Sequence, residues 1–283
     1  MPDIHPILDA DLPAAAHFLH THMNPNLSTT QWCQAFQHGW LPDRPNHGFM
    51  LVDKGEIVGL FMAVYGQRLI RGTLARFCNP NSWVVLPAYR GNYSRLLMRA
   101  LLEQPDFHFF ITTPNPVVTK LFERAHFTTM DARLSLLPCL PGLPLPRQAI
   151  LTDLDAIEAS LDAANGAIVR DHRGLPWLKW VVVGPPQQAC LVLYKTRIFK
   201  KLPSARILYL SNTTHFLAQR WVLGRYLLLR HGMATMQVDT RFFPTPPPLS
   251  YTLIDRQPKL YSSPTLEGAD FGYIYSESVA LDQ

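Results

Sequence analysis

What the sequence lacks narrows its class. Its four cysteines, Cys33, Cys78, Cys139 and Cys190, are far apart and form no CxxC pair. That excludes a zinc ribbon and a disulfide framework and leaves buried free thiols. No uncharged apolar run approaches the roughly 20 residues that span a bilayer. The start MPDIHPILDADLP also lacks the basic and apolar regions of a signal peptide, so a cytoplasmic protein without a membrane span is expected. His17, His20 and His22 share one expected helix, but their spacing is not HExxH and no carboxylate accompanies them, so no metal site is expected. The most informative scarcity is local. Between Glu56 and Glu103 there is no Asp, Glu or Lys, whereas Arg68, Arg71, Arg76, Arg90, Arg95 and Arg99 all lie there. Positive charge that is wholly guanidinium suits phosphate or carboxylate recognition; a solvated basic face is the plainer alternative.

The 283 residues suffice for two domains of ordinary size, each with its own core, and a hydrophobic fraction of 47% fits a globular chain. The 25 prolines imply many loops and strand edges, and the net charge of +5 favours an anionic ligand or surface. Ile4 to Leu8 reads as a strand and Asp11 to Met23 as a helix. Ser28-Thr29-Thr30-Gln31 has the form of a capping box that opens a second helix with Trp32 and Phe36 on its buried face. Gly48 to Val52, the turn Asp53-Lys54-Gly55-Glu56 and Ile57 to Tyr65 read as a hairpin.

The stretch Asn79 to Met98, NPNSWVVLPAYRGNYSRLLM, reads as strand, tight turn and helix. Unpaired N–H groups and the positive end of the helix dipole make such a junction an anion site; an ordinary strand-to-helix connection is the alternative. Phe107 to Thr112 is apolar enough for a central strand, a helix follows from about Asn115 to Ala125, and Phe127 to Leu137 returns as a strand pair or one long strand.

Pro138-Cys139-Leu140-Pro141-Gly142-Leu143-Pro144-Leu145-Pro146 cannot continue a helix or a central strand. It divides the chain into residues 1–137, a linker at 138–148, and 149–283. The second part repeats the order of the first, with strands at Ala189 to Tyr194 and Arg206 to Leu210, a helix at Phe216 to Leu229 and a strand at Met233 to Asp239. In place of a glycine turn it has Ser211-Asn212-Thr213-Thr214, a helix cap. The β-rich end, Phe271 to Val279, is expected to complete a sheet.

With its hairpin GFMLVDKGEIVGLFM, the turn SWVVLPAYRGN, the strand FHFFITTPN and the helix NPVVTKLFERAHF, the path from Gly48 to Phe127 resembles the GNAT superfamily of acyl-CoA-dependent N-acetyltransferases. The second half resembles it more faintly. The resemblance implies an α/β fold of the α+β mixed-sheet kind, as two GNAT-like halves in tandem, with a degenerate second half. The family's sheet splays between its fourth and fifth strands and holds the pantetheine arm of acyl-CoA there. It implies that Val84, Val85 and Leu86 pair with that arm, that Arg90, Gly91, Asn92, Tyr93, Ser94 and Arg95 surround the diphosphate, and that Asn115 opens the helix after the fifth strand. The family's loop, RxxGxG or RxxGxA, places small residues where this chain has Tyr93 and Arg95, and its helix tyrosine falls at Phe122.

Acyl transfer to an amine needs an oxyanion donor, a base and a departing thiolate. The Val85 N–H is the expected oxyanion donor. His47 and His108 are the candidate bases by pKa, and Cys78 is a candidate nucleophile whose plainer role is in the core. Asp239, Tyr275 and Glu277 from the second half are candidates to complete the site if the halves pack together. The expected activity is acyl transfer from acetyl-CoA or another acyl-CoA to a small-molecule or peptide amine, an anionic one given the arginines. A GNAT-like binding or scaffold protein without activity is the alternative. Nucleic acid is not an expected partner, because no groove-entering motif or interleaved aromatics accompany the arginines.

Overall fold

The computed structural model describes residues 1–142, 150–255 and 258–282. The linker expected at 138–148 therefore lies partly outside the described residues. In the first half the strands are β1 (Asp3–Pro6), β2 (Gly48–Asp53), β3 (Glu56–Ile70), β4 (Thr73–Val85), β5 (His108–Ile111), β6 (Thr128–Met130) and β7 (Arg133–Pro138). The helices there are α1 (Leu12–His22), α2 (Thr29–Phe36), α3 (Asn92–Leu102) and α4 (Pro116–Arg124). The capping box before α2 forms: Gln31 N–H donates to Ser28 Oγ at 3.2 Å and Ser28 N–H donates to Gln31 Oε1 at 2.8 Å. The second half adds β8 (Ile150–Leu151), β9 (Lys179–Val183), β10 (Cys190–Phe199), β11 (Leu202–Leu210), β12 (Thr235–Asp239), β13 (Tyr251–Ile254) and β14 (Lys259–Ser262). Its helices are α5 (Leu154–Ser160), α6 (Ala163–His172), α7 (Thr213–His231) and α8 (Glu277–Ala280).

Two seven-stranded mixed sheets result, in the orders β1-β2-β3-β4-β5-β14-β6 and β8-β9-β10-β11-β12-β7-β13. Position by position the orders correspond. In each sheet one central pair, β4 with β5 and β11 with β12, is parallel, and the other pairings are antiparallel. The sixth position is exchanged: β7 of the first half completes the second sheet, and β14 of the second half completes the first. The division of the sequence at 138–148 thus does not divide the sheets.

β3 shows how the layers form. Leu60, Met62 and Val64 face a core shared by both halves, into which α1, α2, α5 and α6 also pack, while Phe61, Ala63 and Tyr65 face the core under α3 and α4. With both faces covered, the strand reads as a continuous apolar run.

The C-terminal segment departs from expectation. Phe271 to Val279 adds no strand; it passes between the halves through a turn that includes Tyr275 at φ 61° and ends in α8. It crosses β3 at Gly66, where a Cβ would stand 2.6 Å from the Tyr275 Cβ, so the close approach needs a glycine. Trp177 Nε1 donates to the Val279 carbonyl at 2.8 Å, and Tyr273 OH donates to Asp239 Oδ2 at 2.6 Å, fixing the segment from the second half.

Candidate active site

β4 and β5 pair only at Phe77 with His108 and Cys78 with Phe109, and beyond those residues they part. The sequence of β4 is suited to parting. Pro80 opposes Ala63, whose N–H bonds the His47 carbonyl on the other side, so antiparallel alternation turns the Pro80 nitrogen toward the opening. A proline there leaves no donor unpaired. Asn79 spans the gap: its Nδ2 donates to the Phe110 carbonyl at 2.8 Å, and its Oδ1 accepts from Glu277 N–H at 2.7 Å. A register shift opposite Phe61 and Met62, with Ser82 at φ 48°, then bends the strand away.

The opening is a cleft of about 130 Å³ lined by Pro80, Asn81, Ser82 and Trp83 of β4, by Ile111, Thr113 and Asn115, and by Glu277 and Leu281 of the C-terminal segment. Three of these residues carry buried polar atoms without a hydrogen-bond partner among the described residues: Asn81 Oδ1, Trp83 Nε1 and Glu277 Oε2. Such atoms cost stability unless a ligand or water meets them. Leu86 N–H bonds the Val58 carbonyl of β3, so alternation turns the backbone groups of Val85 and Trp83 toward the cleft.

Among the described residues Glu277 is the one carboxylate lining this cleft, and it is only 3% exposed. Its Oε1 accepts from Thr112 N–H at 2.9 Å, Thr113 N–H at 3.1 Å and Thr113 Oγ at 3.1 Å. Burial raises its pKa above the usual carboxylate value, and the hydrogen bonds from Thr112 and Asn79 offset part of that rise.

β4 leads through a 3₁₀ turn, Pro87–Tyr89, to α3. Gly91 occupies the N-cap at φ 88° with open space where a Cβ would be, and no side chain caps the helix. The first helical bond runs from Arg95 N–H to the Gly91 carbonyl, so the N–H groups of Asn92, Tyr93 and Ser94 have no intrahelical acceptor. Arg95 is exposed. Tyr93 lies against Tyr89, ring centroids 6.3 Å apart, on the core side of the helix. Arg90 folds back, its Nε donating to the Val85 carbonyl at 3.0 Å. Val84 packs against the core shared by both halves and Leu86 against that core and the one under α3.

The remaining sequence candidates separate. Asn115 lines the cleft, but its Oδ1 caps α4 by accepting from Val117 N–H at 3.0 Å and Val118 N–H at 2.9 Å. His108 sits at the closed end of the β4–β5 pair, its Nδ1 2.8 Å from Ser263 Oγ, and burial lowers its pKa. It lines neither the cleft nor a neighbouring cavity. Tyr275 also lies outside: its OH donates to Asp171 Oδ2 at 2.7 Å, and burial followed by that carboxylate raises its pKa. His47 is held by Asp9 at 2.6 Å, away from the cleft. Cys78, at the vertex of the cleft, is wholly buried and its thiol pKa is raised by desolvation, which suits a core residue. Phe122 is fully buried, edge-on to Phe61 and Trp83. Asp239 is tied to Arg241 at 2.9 Å. Only Glu277 of the three second-half candidates enters the cleft. Asn81, Ser82 and Trp83 went unassigned in the sequence, although two asparagines and a proline inside an apolar strand were the visible signal.

No helix among the described residues is long and apolar enough to cross a membrane. No protein-family profile matches the sequence, and no curated protein does. Solved structures do. The chain is similar to a GCN5-related N-acetyltransferase from Anabaena variabilis at TM-score 0.60 and 10% identity, covering 92% of this chain and 72% of that one. A GCN5-related N-acetyltransferase from Kribbella flavida gives TM-score 0.59 and 12% identity over 92% and 71%. Eis1 from Mycobacterium abscessus gives 0.50 and 14% over 92% and 73%. With two corresponding mixed sheets and a cleft where the fourth and fifth strands part, the chain has the fold of the GCN5-related N-acetyltransferases, as two similar halves in tandem.

Proposed function

We propose that the protein is an acyl-CoA-dependent N-acyltransferase whose working cleft lies in the first half, transferring an acetyl group from acetyl-CoA to a primary amine. The observation that carries this reading is the parting of β4 and β5 beside a helix terminus that no side chain caps. The residues present suit the ligand. Backbone groups of Trp83 and Val85 face the cleft for an amide-bearing arm, and the N–H groups of Asn92, Tyr93 and Ser94 suit a diphosphate. The unpaired Asn81 Oδ1 and Trp83 Nε1 supply an acceptor and a donor beside them.

Acyl-CoA, when bound, supplies a thioester whose acyl group passes to the amine nitrogen as the thiolate leaves. The chain's own residues do the rest. The Val85 N–H is a fixed donor for charge developing on the carbonyl oxygen. Glu277 takes the proton from the amine through Oε2, the oxygen that protein hydrogen bonds leave open, and its raised pKa brings it closer to that of an ammonium. Glu277 thereby fills the base role for which His47 and His108 are the sequence candidates. Phe122 has no proton to give the departing sulfur, which leaves that step to solvent.

A second reading, a GNAT-like binding protein without activity, is favoured by Arg90 holding the Val85 carbonyl and by Phe122. Release of free thiol from acetyl-CoA across a panel of primary amines separates the two. Amine-dependent release is expected, and its abolition by Glu277→Gln ties it to this cleft. Acetyl-CoA binding with no release from any amine in the panel would favour the second reading.

A further inference from the structure

The cleft shares a wall with a larger cavity. This second space, of about 350 Å³, lies between the two halves, and Thr113, Glu277 and Leu281 border both. Its volume is that of a small-molecule site. Its lining is cationic: Lys195 and Arg197 of β10, Arg206 of β11 and Lys259 of β14 surround it, against the carboxylates of Asp255 and Glu277.

The charges are built into the fold. Lys259 is 1% exposed, and its Nζ makes no hydrogen bond among the described residues; it stands 3.6 Å from Asp255 Oδ2 and 3.8 Å from Asp239 Oδ2. Asp239 is already held by Arg241, and Arg206 Nη2 reaches Asp255 at 3.0 Å. The Lys195 ammonium is buried against the Leu281 carbonyl, with the Asp282 carboxylate as an opposite charge that also acts on Arg197, and burial lowers the Lys195 pKa to about 8, leaving it mostly protonated at neutral pH. Arg197 is exposed at the edge of the cavity. Burying cations in excess of carboxylates is costly unless an anion offsets them.

Building on the N-acyltransferase reading, we propose that this cavity holds the acceptor, an amine that also carries a carboxylate or a phosphate. The anionic group lies among Lys259, Arg206 and Arg197, and the amino group points to Glu277 at the shared wall. The arrangement selects by charge: a plain alkylamine brings no partner for the cations, and a dicationic amine is repelled by them. The volume matches an acceptor group about the size of an amino acid or a peptide end.

The test is calorimetric titration of the full chain, without acetyl-CoA, with three amines: 4-aminobutyrate, 2-aminoethyl phosphate and n-butylamine. At least one anionic amine is expected to bind, the tighter identifying carboxylate or phosphate, and n-butylamine is expected not to bind at millimolar concentration. Arg197→Ala, at an exposed position that should not perturb folding, is expected to weaken the anionic ligand about tenfold, the effect of one charge-assisted hydrogen bond. Equal binding of n-butylamine, an unchanged affinity in Arg197→Ala, or no binding of either anionic amine would overturn the assignment. A separate acetyl-CoA titration keeps the two proposals distinct: anionic amines that bind while acetyl-CoA does not would leave the cavity assignment standing and remove the acyltransferase reading.

Discussion

The two halves reach the corresponding strand-to-helix junction by different routes. After β4 the chain takes a 3₁₀ turn and a glycine at positive φ, and α3 begins with no side-chain cap. After β11 it turns directly into α7. There Asn212 is the N-cap, its Oδ1 accepting from His215 N–H at 2.9 Å, and Ser211 Oγ accepts from Leu191 N–H at 2.9 Å. The second junction caps a helix donor with its own side chain; the first caps none. One fold therefore carries two fates of a helix terminus, one left uncapped by side chains and one structurally capped, and local residue chemistry sets which.

This contrast can be broken at either half. The largest effect is expected at the cleft: Glu277→Gln should lower the rate of amine acylation by about 10²–10⁴-fold while leaving acetyl-CoA affinity nearly unchanged, in steady-state and binding measurements on the same preparation. Next is Gly91→Ala. A side chain at φ 88° strains the turn that presents the α3 N–H groups, and acetyl-CoA affinity should fall about tenfold, near 1.4 kcal/mol. Asn212→Ala is the matched change in the other half. It should cost about 1 kcal/mol of stability by denaturant unfolding and leave acetyl-CoA binding untouched.

The smallest effect concerns pH. The folded pKa of Glu277 is raised above its unfolded value, so the buried carboxylate lowers stability once it ionises. Below the unfolded pKa, near 4.5, it has no such effect; the penalty grows as pH rises and is complete above the folded pKa. Thermal melts of Glu277→Gln should therefore match the parent in acid and exceed it at neutral pH. The acylation rate should rise over the same window as the base form appears.

Much of the first half was legible in the sequence because its signals are local. The hairpin turn, the Ser28 capping box, the apolar runs of β3 and β5 and the turn at Arg90-Gly91-Asn92 all depend on near neighbours. What was not legible depends on partners far along the chain. β7 and β14 have the same pattern whichever sheet receives them, so their exchange leaves no trace in periodicity. The Phe271 to Val279 segment is apolar because it is wedged between the halves, and it was misread as a strand for that reason. His108 fell at the closed end of the cleft because alternation along a strand says which face a residue takes, not where neighbouring strands part. Glu277 was among the candidates, yet its meeting with Asn79 and Thr112 across the chain could only be seen in three dimensions.

The central claim is that the first half alone carries an acyl-CoA site. Calorimetric titration of acetyl-CoA into the full chain tests it most directly, with Gly91→Ala and Asn212→Ala run in parallel. One site per chain, weakened by the first substitution and indifferent to the second, is the predicted result. No binding at millimolar ligand, or a site that responds to Asn212→Ala and not to Gly91→Ala, would contradict it.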